Sequence, residues 1–81
     1  MKVRVEFFAQ LRDLAGESEL DLDLADEAQV SELLEKVYAR FPALRERDKG
    51  ILVGAGLEFV DRNYKLRAGE EIAIMPPVQG G

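Results

Sequence analysis

The sequence has no cysteine and no histidine. Without cysteine there is no disulfide framework, and a cytoplasmic setting fits. With both residue types missing, thiolate chemistry, most zinc sites and imidazole base catalysis are excluded within this chain, so no bound metal or cofactor is expected. No apolar run approaches the ~18 residues of a membrane span. The opening residues 1–8 lack the apolar stretch and small-residue cleavage site of a signal peptide, so no membrane partner is expected. Basic residues are in the minority, with 11 Lys and Arg against 16 Asp and Glu and a net charge of −5. That balance disfavours nucleic acid and suits a basic partner surface, besides serving solubility.

What is present is enough for one domain, residues 1–81, with one core. The 81 residues are 47% hydrophobic, which argues against disorder. Val3, Val5 and Phe7 alternate with Lys2, Arg4 and Glu6, the period of a strand with one buried face. Gly16 marks a turn, and residues 18–24 alternate again through Leu20, Leu22 and Leu24, so the two runs predict an antiparallel hairpin. From Val30 the period changes: Leu33, Leu34, Val37, Tyr38 and Phe41 continue a single helical stripe. Glu32 and Arg40 suit the two ends of the helix dipole, and Pro42 predicts a stop at Phe41.

Residues 45–50 read as a charged loop, 51–55 as a mostly buried strand and 57–60 as a short one. Gly54 and Gly56 suggest a bend or close backbone approach there. Ile72 and Ile74 define a last strand, ended by Pro76 and Pro77. One amphipathic helix covers only one face of a sheet, so it packs against Val3, Val5, Phe7, Leu20, Leu22, Leu24, Ile72 and Ile74. The first and last strands are expected to pair in parallel at the centre. The expected fold is α+β, a β-grasp or ubiquitin-like mixed sheet of four to five strands with one main helix on one face.

Alternation also says what is left outside. If Phe7 faces the helix, Phe8 faces away. If Ile72 and Ile74 face it, Met75 does not. Of Phe59 and Val60 only one can reach the core. Phe8, Met75 and Phe59 are therefore candidates for an apolar patch on the helix-free side, the kind of surface that marks protein contacts.

The chain given ends Pro76-Pro77-Val78-Gln79-Gly80-Gly81. The prolines stiffen the exit from the sheet, and the glycines have no side chains to obstruct a narrow passage. Residues 76–81 are thus expected to form a protruding tail that another protein's active site admits. Its reactive group would be the Gly81 α-carboxylate. A carboxylate is a poor electrophile and its adenylate a good one, so a sulfur donor attacking the adenylate would leave a thiocarboxylate.

These segments together resemble the small subunits of molybdopterin synthase, the MoaD-type sulfur carriers. The resemblance rests on Val-Glu-Phe-Phe-Ala-Gln-Leu-Arg-Asp-Leu-Ala-Gly at 5–16, Val-Ser-Glu-Leu-Leu at 30–34, Phe-Pro-Ala-Leu at 41–44 and, most specifically, the ending Pro-Pro-Val-Gln-Gly-Gly. It implies that an E1-like, MoeB-like adenylyltransferase activates Gly81 with ATP and magnesium. A sulfurtransferase or cysteine desulfurase system then supplies the sulfur. The tail (Pro76, Pro77, Val78, Gln79, Gly80) enters a MoaE-like large subunit, which holds the catalytic residues. Sulfur passes to cyclic pyranopterin monophosphate to form the molybdopterin dithiolene, in a heterotetramer. The family's apolar contacts with the large subunit fall on Phe8, Phe59 and Met75. The chain departs from the family at Gly54-Ala55-Gly56, where Ala-Val-Asn is frequent, and at Gln79, where a small or hydroxylated residue is usual.

Alternatives remain. A related carrier for thiamin synthesis, tRNA thiolation or protein conjugation would use the same tail chemistry with another partner. A β-grasp binding module with an idle tail would not need Gly80 and Gly81. A stand-alone enzyme fits poorly, because Glu19, Asp21 and Asp23 alternate as a solvated strand face and nothing marks a general base.

Overall fold

The apolar alternation at the N-terminus forms β1 (Lys2–Phe7), with Val3, Val5 and Phe7 all buried. It pairs antiparallel with β2 (Glu19–Asp23), Val5 standing opposite Leu20 and Val3 opposite Leu22. The computed structural model describes residues 1–77.

The connection between these strands is not a plain turn, as the sequence suggested, but a short helix, α1 (Gln10–Ala15), with Leu11 buried. Gly16 ends it at φ 75°, the left-handed conformation that favours glycine after a helix, and donates its N–H to the carbonyl of Arg12 at 2.9 Å. Ala9 enters the helix at φ 52°, a strained value for a residue with a Cβ. That bend turns Leu11 inward and leaves Phe8 outside. Leu20 and Leu22 are only half-buried, whereas Leu24 is buried, because β2 is an edge strand and the helix covers it incompletely.

The helical stripe forms α2 (Val30–Arg40), burying Val30, Leu33, Leu34, Val37 and Tyr38. Its unpaired N-terminal donors are satisfied from outside the helix. Val30 donates to the carbonyl of Tyr64 and Ser31 to that of Arg62, each at 3.0 Å. Glu32 accepts the Gln29 backbone N–H at 2.7 Å. After Phe41 the chain does not become a loop. Residues Pro42–Gly50 form a 3₁₀ segment, anchored by the buried Leu44. Pro42 starts it, its fixed φ suiting a first helical position. Phe41 itself meets Phe7 edge to face, ring centroids 5.6 Å apart.

The chain returns through β3 (Leu52–Ala55) and β4 (Glu58–Val60) and ends its sheet at β5 (Glu71–Met75). β5 runs parallel to β1, with Val5 opposite Ile72 and Phe7 opposite Ile74, and the order across the sheet is β2-β1-β5-β3-β4. The parallel pair lies at the centre, as the element order required, and the five strands with α2 on one face make a ubiquitin-like β-grasp. Among the described residues no helix is long and apolar enough to cross a membrane.

A polar cluster ties the 3₁₀ segment to this framework. The Tyr38 hydroxyl donates to the Asp48 carboxylate. Arg62 Nη2 donates to the carbonyls of Asp48, at 2.7 Å, and Ile51, at 3.3 Å. Burial, and then the hydrogen bond to Asp48, push the Tyr38 phenol far above its ordinary value of 10. The folded protein therefore holds this proton more tightly than the unfolded chain does. Below pH 10 the contribution is fully present, and as pH rises further the unfolded chain ionises first and stability falls. Tyr38→Phe is expected to cost about 1 kcal/mol near neutrality, from the lost hydrogen bond. In urea denaturation across alkaline pH the variant should lose stability less steeply than the native protein. The residual slope belongs in part to Tyr64, whose phenol is raised by its hydrogen bond to Glu70. Identical alkaline slopes would show that Tyr38 titrates as an ordinary phenol.

Candidate functional site

The face of the sheet away from α2 divides into a polar half and an apolar half. On the β2 side, Arg4 Nε lies 3.2 Å from Asp21 Oδ1, and Arg4 Nη1 lies 3.9 Å from Glu19 Oε1. These carboxylates form a solvated, ion-paired strand surface, each about half exposed. Nothing in their surroundings prepares a general base.

Toward β5, β3 and β4 the same face becomes apolar. Phe8 follows β1 and donates its N–H to the carbonyl of Ile74 at 3.1 Å, which sets it beside Met75. Met75 stands opposite Leu52. Phe8, Met75 and Leu52 therefore share one row across three strands. In the neighbouring row Phe59 pairs with Gly54, and Gly54 with Ala73. Gly54 leaves room for Met75: a Cβ there would stand 3.2 Å from Met75 Cε, the movable end of that side chain. The methionine side chain thus lies over the bare glycine and bridges the two rows. Phe8 is 42% exposed and Phe59 67%, values at which a phenyl ring makes no core contribution to the fold. Val60, not Phe59, takes the core side of β4, standing opposite the buried Val53.

The patch is larger than the residues alternation singled out. Leu52 adds to its middle, and Leu57, in the turn between β3 and β4, is fully exposed. The sequence grouped Leu57 with a strand that begins only at Glu58. Its signal was the preceding Gly56, which takes φ 63° in the turn.

The row crosses the sheet at the end of β5, where the chain leaves it. Pro76 is half-buried and Pro77 exposed, so the arm starts in contact with the domain. An open groove borders this root, lined by Gln10, Leu11, Arg47, Lys49, Pro76 and Pro77. Arg47 Nη1 donates to Gln10 Oε1 at 2.9 Å across it, joining the 3₁₀ segment to α1. Val78, Gln79, Gly80 and Gly81, singled out from the sequence, lie outside the described residues.

An apolar patch that reaches the point where the chain leaves the sheet is a candidate docking surface. Comparison with known proteins extends over most or all of the chain. The ThiS family model matches residues 5–81. A molybdopterin synthase sulfur carrier subunit of Chlamydomonas reinhardtii is 36% identical over 83 aligned positions, covering 100% of both chains. Among solved structures, SAMP1 from Haloferax volcanii superposes with a TM-score of 0.88 at 29% identity, covering 100% of each chain. A chain of the Amycolatopsis orientalis BexX/CysO complex superposes with a TM-score of 0.75 at 25% identity, covering 98% of this chain and 99% of that one.

Proposed function

From its place in the ThiS family, to which this chain belongs, we propose that it is the sulfur carrier subunit of a molybdopterin synthase, acting in the cytoplasm. The observation that carries this reading is the row Phe8, Met75 and Leu52, which leads directly into the arm ending Gly80-Gly81. The full-length likeness to a sulfur carrier subunit from Chlamydomonas reinhardtii supports it. The likeness to a chain solved within the BexX/CysO complex supports a stable partner subunit.

On this reading the Gly81 carboxylate attacks the α-phosphorus of ATP, held with magnesium by an E1-like, MoeB-like partner, and pyrophosphate leaves. The persulfide of a sulfurtransferase or cysteine desulfurase attacks the acyl carbon and AMP leaves; a partner thiol then cleaves the acyl disulfide, forming a disulfide with the donor's sulfur and freeing the thiocarboxylate. The patch then docks on a MoaE-like large subunit. The arm, Pro76 to Gly81, places the thiocarboxylate beside cyclic pyranopterin monophosphate, and each carrier gives up one sulfur toward the dithiolene. The catalytic side chains belong to the partners. This chain supplies the docking face, the stiff arm and the reactive terminus. Exposed patches of this kind work by excluding water around a few anchors, and Phe8 and Phe59 are the large ones available.

Intact mass spectrometry tests the proposal after incubation with the E1-like partner, ATP, magnesium and a sulfur source. One oxygen should be replaced by sulfur, and the change should map to the C-terminal fragment. An unchanged mass, under conditions that load a known carrier, would reject it.

A second reading, a modifier joined to protein amines, draws on the likeness to SAMP1 from Haloferax volcanii. It predicts adducts linking Gly81 to lysine. Carriers for thiamin synthesis or tRNA thiolation share the loading step, and complementation of strains lacking each pathway separates them.

A further inference from the structure

The antiparallel register of β3 with β5, Leu52 opposite Met75, extends one step to bring Ile51 beside Pro76 and a second to bring Gly50 beside Pro77. The sheet ends there because proline has no N–H for the ladder. The contact is close. A Cβ on Gly50 would stand 3.3 Å from Pro77 Cγ and 3.4 Å from Pro77 Cδ. Gly50 does not take a positive φ, so glycine here serves space and not backbone conformation. Pro77 cannot swing aside as a long side chain would, since its ring is closed on the backbone and its φ is fixed. A side chain at position 50 therefore has to shift Pro77, ring and backbone together, by a few tenths of an ångström or more.

Gly50 is itself held from several sides. The carbonyls of Asp48 and Ile51, which flank it, both accept from Arg62. Ile51 donates its N–H to the carbonyl of Asp48 at 3.2 Å, and Asp48 accepts the Tyr38 hydroxyl. The backbone of Arg62 in turn caps α2 through Ser31. The surface that meets Pro77 is thus tied to the main helix.

We propose that Gly50 is a positioning residue for delivery of the C-terminal carboxylate: its bare Cα seats the Pro77 ring and sets the direction in which the arm leaves the domain. This rests on the carrier reading above. A misaimed arm still docks through the patch but brings Gly81 to the activating site in a productive geometry less often. The loss then falls on kcat more than on KM.

The test is a double-mutant cycle on the full chain, measuring kcat and KM for loading of Gly81 by the E1-like partner. Gly50→Val is expected to lower kcat about 10-fold while leaving the urea unfolding midpoint in place. In a Pro77→Ala background, which has its own lower rate, the same change should cost no more than about twofold, because the ring it displaces is gone. Gly50→Ala, the variant least able to disturb folding, should show a smaller loss of about threefold with the same dependence on Pro77. Full kcat in both Gly50 variants would overturn the proposal, and so would equal losses in the two backgrounds. Failure of the native chain to load would instead sink the carrier reading, and this inference with it.

Discussion

A chain extended by one residue after Gly81 is expected to lose sulfur loading by several orders of magnitude and to fold as before. The physical reason is local to one carbon. In the extended chain the Gly81 carbonyl is an amide, which has no free oxygen to attack ATP and no adenylate to form. The new terminal carboxylate lies one residue too far along an arm whose reach is set by its start at Pro76. A displacement of that size is far greater than the ~1 Å that costs about 100-fold in a well-aligned reaction. Folding should not notice. Among the described residues the buried core runs from Val3 to Ile74, so all of it precedes the arm. The free energy of unfolding in urea should therefore change by less than about 0.5 kcal/mol. The measurement is loading by intact mass on matched chains. Sulfur found on an extended chain that has kept its extra residue would place the chemistry elsewhere.

The second large effect is expected at Phe8. Phe8→Lys should weaken binding to the large subunit by about 100-fold, some 2–3 kcal/mol, with an unchanged unfolding midpoint. Phe8 stands in the row with Met75 and Leu52 at the root of the arm, so a surface that grips the patch and admits the tail covers it. A lysine there exposes its charge harmlessly in the free domain. On docking, that charge must be desolvated against apolar neighbours with no partner on this chain. Phe7, one residue earlier, is 2% exposed and packs on Phe41, so Phe7→Lys should unfold the domain instead. Isothermal titration of the large subunit with Phe8→Lys reads the first effect directly. Native affinity would remove Phe8 from the interface.

Period-2 alternation in residues 2–7 and 71–75, and the helical stripe from Val30, contained the elements, their buried faces and the parallel central pair. Once Val5, Ile72 and Ile74 were assigned to the core, Phe8 and Met75 had to lie on the other side. The same logic left open which of Phe59 and Val60 was buried, and the register answered it through Val53. The sequence underestimated two elements. In α1 only Leu11 is fully buried, too little to make a stripe, and in the 3₁₀ segment Leu44 stands alone among charges. Both are too short for periodicity to register, and both are held by contacts with the rest of the fold.

What the residues determined unaided was local: strand and helix periods, the break at Pro76-Pro77, and an unencumbered diglycine, all of which depend on neighbours within a few positions. What only the tertiary structure decided was which distant groups meet. Gly50 faces Pro77, Arg62 reaches the carbonyls of Asp48 and Ile51, and Met75 lies over Gly54. Those contacts join residues far apart in the chain. They follow from strand register and from the closing of a loop over the helix N-terminus, neither of which a local pattern of apolar and polar residues encodes.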